Sequence, residues 1–148
     1  MGYKCKYFNI KELTHPDMRK ALPERTLWIL FDERLLRCAD LIRELYGACT
    51  INTAALDKCG LVPFDSTRDA KYSPHKYARG LDLHILTIER EAAKIADTEK
   101  RKQYKIAEYN KVRERLMLDH RFDVLNFEAN IGWLHIDTYN RDNRLFNP

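Results

Sequence analysis

The residues best suited to chemistry fall in two short stretches. The first runs Ser73-Pro74-His75-Lys76-Tyr77-Ala78-Arg79-Gly80-Leu81-Asp82-Leu83-His84, and the second runs Gly132-Trp133-Leu134-His135-Ile136-Asp137. His75 and Asp82 stand seven residues apart, with Asp82 entering a segment that reads as a strand; His135 stands in the middle of another. Two imidazoles and a carboxylate make three protein ligands and leave a fourth position of a zinc ion open, as a catalytic zinc requires. The alternation of a strand puts Asp82, His84 and Leu86 on one face, and Leu81, Leu83 and Ile85 on the other. By the same rule Trp133, His135 and Asp137 share a face, opposite Leu134, Ile136 and Thr138. If the two strands are neighbours, their polar faces coincide. The competing reading of His75 and His135 is as hydrogen-bonded structural histidines.

The rest of the chain must position these groups. Asp32 is placed to cap a helix over 33–46, in which Leu35, Ala39, Ile42 and Tyr46 recur at spacings of three and four and Gly47 follows as a stop. Leu27 to Phe31 is an apolar patch expected in the core. A short strand is expected over 48–53, then a long irregular region over 54–72 that forms a wall of the site. Strands are expected over 81–86, 122–127 and 131–138. Residues 87–118 read as helical, either as one helix or as two broken near Ala96-Asp97-Thr98. The polar tail 139–148 reads as surface, and His15, before Pro16, as a turn or surface histidine.

Composition narrows the class. The chain has 148 residues, 45% of them hydrophobic and 32% charged, with a formal net charge of +4. That length suits a single domain spanning 1–148. No apolar run approaches the roughly 20 residues of a membrane span, and the charged N-terminus offers no secretory core segment, so a cytoplasmic protein without a membrane partner is expected. Cys5, Cys38, Cys49 and Cys59 form no C-x-x-C pair and read as reduced thiols. A nucleic-acid partner would rest only on the mild positive charge and the run Glu99-Lys100-Arg101-Lys102, which reads more simply as a solvated helix face, so none is expected.

Together the two stretches resemble the M15 family of zinc peptidases, which includes D-Ala-D-Ala peptidases and phage L-alanyl-D-glutamate endopeptidases and shares its fold with the Hedgehog N-terminal domain. The family pattern S-x-H-x-x-G-x-A-x-D meets Ser73, His75 and Asp82, and Trp133-Leu134-His135 supplies the later W-x-H. The resemblance implies an α+β fold in which a small antiparallel sheet carries the metal site and packs against helices. It implies zinc as cofactor and His75, Asp82 and His135 as its ligands, with Ser73 and Trp133 beside them. It further implies a metallopeptidase that hydrolyses peptidoglycan stem peptides, phage-encoded and endolysin-like, acting on the host wall after release or from the virion.

Several positions depart from that pattern. The family's Gly and Ala are Ala78 and Gly80 here, and Pro74 precedes His75. Val62 stands where an Arg that holds a substrate carboxylate is expected, leaving Arg68 or Arg79 as substitutes. Peptide cleavage also needs a carboxylate to take and return a proton. The usual position, three residues before the last His, is Gly132, so Glu128 is the candidate, against a reading as an ordinary surface carboxylate. Asp137 is read as the partner that orients an imidazole, in preference to a base. His84 is read as an oxyanion stabiliser, with a supporting or buried hydrogen-bonded role as the alternatives. The alternative function is a non-catalytic zinc-binding relative with a structural or binding role in the virion or host cell.

Overall fold

A computed structural model describes residues 2–51, 60–67 and 70–147. Four helices lead the chain: α1 (Ile10–Leu13), α2 (Pro16–Ala21), α3 (Glu24–Leu30) and α4 (Glu33–Tyr46). Strand β1 (Cys49–Ile51) follows, and after a 3-10 turn at Pro74–Tyr77 come β2 (Gly80–Ile85), α5 (Leu86–Ala93) and α6 (Thr98–Leu118). A second 3-10 turn, His120–Phe122, leads to β3 (Asn126–Glu128), β4 (Leu134–Asp137) and β5 (Leu145–Phe146). The architecture is mixed α+β, with a five-stranded sheet in the order β1-β2-β4-β3-β5. No helix among the described residues is long and apolar enough to cross a membrane.

Local chemistry explains the helix ends. The Asp32 side chain accepts from the Arg34 amide at 3.0 Å and starts α4; Gly47, at φ 81°, closes it in a conformation that a side chain would strain. His15 caps α2, its Nδ1 accepting from the Asp17 amide at 3.1 Å, so it is a turn histidine as expected. Asp97 caps α6 through the Lys100 amide, which settles the helical region as two helices. The packed face of α4 carries Leu35, Leu36, Cys38, Ala39 and Ile42 into one apolar cluster with Leu81, Leu83, Ile85, Leu134, Ile136 and Phe127 from one face of the sheet. Leu27, Trp28 and Phe31 join it, whereas Ile29 and Leu30 on the same apolar patch are exposed because α3 shows its other side to solvent. Cys5, Cys38 and Cys49 are free thiols; Cys59 lies outside the described residues.

Four expectations need correction. The strand expected over 122–127 begins only at Asn126, because Asp119 caps a 3-10 turn that drives Phe122 into the core as an anchor. Leu86 does not continue β2; its amide bonds to the Ala48 carbonyl and the chain turns into α5. The strand expected over 131–138 is restricted to 134–137, which leaves Trp133 before its start. The tail is not simply surface. Arg144 donates to the carbonyls of Leu125, Met117 and Phe122, and Leu145–Phe146 joins β3 as a parallel strand, so the sheet is antiparallel except at this edge.

Arg113 of α6 ties the helical layer to the approach of β4. It is fully buried and donates to Asn110 Oδ1 at 2.7 Å and to the carbonyls of Ile131 and Trp133. Burial brings its pKa down to about 10. Replacing Arg113 by Ala opens a cavity and strands those acceptors, and is expected to destabilise the fold by about 2–4 kcal/mol. Urea unfolding of the two proteins measures this, and a difference under ~1 kcal/mol would show that the carbonyls find other donors.

Candidate metal centre

The site is written in the strand register. Asp82 of β2 pairs with His135 of β4, and Gly80 pairs with Asp137. On the other side of β4, Asn126 pairs with Asp137 and Phe127 with Ile136, so the next residue of β3, Glu128, falls beside His135. Phe146 of β5 pairs with Glu128. One line across four strands therefore carries Asp82, His135, Glu128 and Phe146 on the face turned away from the apolar cluster.

His75 arrives from outside the sheet. The Ser73 side chain accepts from the His75 amide at 3.3 Å and starts the 3-10 turn, while the Val62 amide donates to the His75 carbonyl at 3.1 Å. Ala78 closes the turn in the left-handed region, at φ 54°. Gly80 lets the turn lie against the start of β2: a Cβ there would stand 3.0 Å from Pro74 Cβ and Cγ. The small residue at 80 and the proline at 74 therefore belong together.

The three side chains converge. His135 Nδ1 lies 2.8 Å from Asp82 Oδ1, and His75 Nε2 lies 3.4 Å from Asp82 Oδ2. The two rings meet edge to face with centroids 5.4 Å apart. One ligand atom from each of His75, Asp82 and His135 can be chosen so that all lie within 4.8 Å of one another, and the group can hold a metal ion. Two ligands of a tetrahedral zinc, each about 2.0–2.1 Å from the ion, stand roughly 3.3 Å apart, so the His75–Asp82 separation fits such an ion and the His135–Asp82 contact is somewhat tighter. Two imidazole nitrogens and a carboxylate are a donor set for zinc and for other divalent transition metals alike.

Behind His135, Asp137 is fully buried and its Oδ2 lies 3.1 Å from His135 Nε2. The contact anchors the Nε2 edge of the ring and leaves Nδ1 facing Asp82. Burial disfavours charge on all three groups, but each is overruled by its partners. The hydrogen bonds from Asp137 and Asp82 hold His135 up to about 9. The His135 hydrogen bond and the fields of His75, His135 and His84 bring Asp82 down to about 2. Asp137 is held far below the usual carboxylate range by His135, Arg141 and Asn126.

A cavity of about 660 Å³ opens over this group. Glu128, Trp133 and Ser73 line it together with the three converging residues, so most of the residues singled out by pattern are brought together. The Glu128 carboxylate makes no hydrogen bond or ion pair with the described residues. Of the irregular region expected as a wall, Ala70 to Tyr72 do line the cavity; residues 52–59, Arg68 and Asp69 lie outside the described residues. Two candidates stand elsewhere. Arg79 donates to the Thr138 hydroxyl and carbonyl and stacks on Tyr139, in a separate hollow with Tyr77 and Asn140. His84 shares the face of Asp82 but is not among the cavity's lining residues; its Nδ1 lies 3.2 Å from Glu89 Oε1, in a network with Lys105 and Tyr109. Val62 is buried, and its contribution is the amide that holds His75. Pattern reading missed Arg141 and Phe146, both of which line the cavity. The one available signal was the apolar Leu-Phe pair in an otherwise polar tail.

Folded His135 binds its proton more tightly than an unfolded histidine, so its contribution to stability is complete below about 6.5 and is lost as pH rises through about 9. Asp82 contributes above about 3.9, and that share is lost as pH falls through about 2. Urea unfolding of the metal-free protein is therefore expected to weaken by up to about 3 kcal/mol between pH 6.5 and 9, and His135→Gln should remove the trend. Over the same interval the apparent affinity for zinc should rise about tenfold per pH unit, because ligation displaces one proton. A flat profile in chelator competition would show that His135 is neutral before it binds.

Comparison of the chain with protein-family models, with curated proteins and with solved structures returns no match.

Proposed function

We propose that the chain is a zinc-dependent metallopeptidase of the M15 kind, with the Hedgehog/DD-peptidase fold, that hydrolyses peptide bonds in peptidoglycan stem peptides as a phage-encoded endolysin. The observation that carries the proposal is the convergence of His75, Asp82 and His135 at an open cavity, with the Glu128 carboxylate, which feels the buried Arg113 charge but forms no hydrogen bond or ion pair with the described residues, one strand away. Ser73, His75, Asp82, Trp133 and His135 are also the positions that meet the family pattern.

In this reading His75 Nε2, an Asp82 oxygen and His135 Nδ1 hold the ion. When bound, zinc would polarise the scissile carbonyl and bring the pKa of a water toward about 7. Glu128 serves as general base, taking a proton from the attacking water and returning it to the leaving amine. Because it forms no other hydrogen bond or ion pair with the described residues, its oxygens are available for both transfers. Asp137 keeps the His135 proton on Nε2 throughout. Tyr72, Trp133 and Phe146 line the cavity, and Lys71 beside them, with the net charge of +4, favours an acidic polymer.

One observation favours the non-catalytic alternative. Val62 supplies only a backbone bond where a substrate-holding cation is expected, and Arg141 in the cavity is committed to Asp137. Elemental analysis is expected to find about one zinc per chain, and none in His75→Ala or His135→Ala; zinc retained in both variants would overturn the ligand assignment. Glu128→Gln should keep its zinc and its fold but release peptide from a peptidoglycan suspension roughly 10²–10⁴-fold more slowly. Equal lysis by this variant would remove Glu128 from the mechanism. A zinc-loaded parent that releases nothing would establish the binding role instead.

A further inference from the structure

The polar groups behind His135 include a residue hidden in the tail. The two oxygens of buried Asp137 are divided between partners. Oδ1 accepts from Asn126 Nδ2 at 2.8 Å and from the Tyr139 amide at 3.0 Å. Oδ2 faces His135 Nε2 at 3.1 Å and accepts from Arg141 Nη2 at 2.7 Å. Arg141 Nε lies 3.2 Å from Oδ1 and 3.1 Å from Oδ2, so the guanidinium spans the whole carboxylate. Its flat face rests 3.7 Å from the centre of the Phe146 ring, and Phe146 in turn meets His135 edge-on at 6.1 Å.

We propose that Arg141 is a positioning residue of the metal centre, acting on His135 through Asp137. The proposal rests on reading His75, Asp82 and His135 as metal ligands. Amide donors on Oδ1 alone leave the carboxylate free to turn about its last bond. A rigid guanidinium gripping both oxygens fixes its plane, and Phe146 fixes the guanidinium. With the plane set, Oδ2 holds the His135 Nε2 proton in one direction, and the ring must then aim Nδ1 at the position shared with Asp82 and His75. Among the described residues, all the hydrogen bonds of the Arg141 guanidinium go to Asp137, while the residue itself lines the cavity. Its place in the fold is therefore defined by the site.

The test uses the full chain and three readouts. Chelator competition should show zinc binding about 10–100-fold weaker in Arg141→Gln, with Arg141→Lys recovering part of the loss by restoring the charge without the fork. The visible spectrum of the cobalt(II)-loaded protein should shift in Arg141→Gln, since it reports ligand geometry, which loss of stability alone would not move. In the metal-free protein, the His135 Nε2 proton should exchange slowly with water in the parent and in Arg141→Lys, and rapidly in Arg141→Gln. Zinc affinity, cobalt spectrum and exchange all unchanged in Arg141→Gln would overturn the proposal. A parent that binds neither metal would overturn the reading of the centre itself; the exchange measurement would then still decide whether Arg141 holds the His135 proton. If Arg141→Gln does not fold, Arg141→Lys carries the comparison, and parent-like values in all three readouts would count against the fork.

Discussion

Everything at the site depends on the register between β2 and β4. Side chains alternate across a strand, so a slip of one residue would send either Asp82 of β2 or His135 of β4 into the apolar layer and turn that strand's leucine toward the cavity. The other face of the same strands prevents it. Leu81, Leu83, Leu134 and Ile136 are fully buried, and each contributes roughly 1.5–3 kcal/mol by leaving water. A slipped register would forfeit much of that and bury an acid and an imidazole, Asp82 with His84 or Asp137 with His135, among apolar side chains. The polar chemistry on one face is thus held in place by hydrophobic burial on the other, and the ligands need contribute little to their own placement.

The polar face is arranged as alternating charge: Asp82, then His135, then Asp137, then Arg141. Buried ion pairs of this sort add little net stability, because desolvation offsets most of the attraction. Their value lies in geometry. Asp82 and Asp137 flank one imidazole and both stay ionised, which makes the pocket a cation site in waiting. In the metal-free protein the proton on His135 meets that demand. A divalent cation between His135 and Asp82 would meet it with more charge, which is why proton and metal compete for the same place.

What could be read from sequence tracks the range of the interactions involved. The helix from Glu33 to Tyr46 was visible because its cap, apolar spacing and stop are all local. The shared face of Asp82 and that of His135 are legible because alternation needs only a few neighbours, whereas His75 is reached only by its spacing from Asp82 and by the family resemblance. Glu128 was named for its chemistry, but its place beside His135 comes from the β3–β4 register, which no local pattern specifies. Phe122 was assigned to a strand because an aromatic in an apolar run looks the same in a strand and in a capped turn. Arg141 and Phe146 were invisible for a related reason: a polar tail is surface unless something distant holds it, and the holding is done by Arg144 on carbonyls of another segment. His84 shows the limit of the face rule. It shares a face with Asp82, yet the chain turns into α5 immediately beyond β2, and Glu89 of that helix takes the imidazole.

His75 differs from Asp82 and His135 in how it is held. Asp82 and His135 sit on paired strands, but His75 is brought over the sheet by a turn that breaks local preferences at three positions within six residues. Ala78 adopts a left-handed conformation that costs a residue with a Cβ roughly 1 kcal/mol. Gly80 gives up a side chain inside a strand so that Pro74 can approach. His75 Nδ1 is buried with no hydrogen-bond partner among the described residues, at a cost of about 1–3 kcal/mol. The three share one consequence, an imidazole nitrogen 3.4 Å from Asp82 at an open cavity.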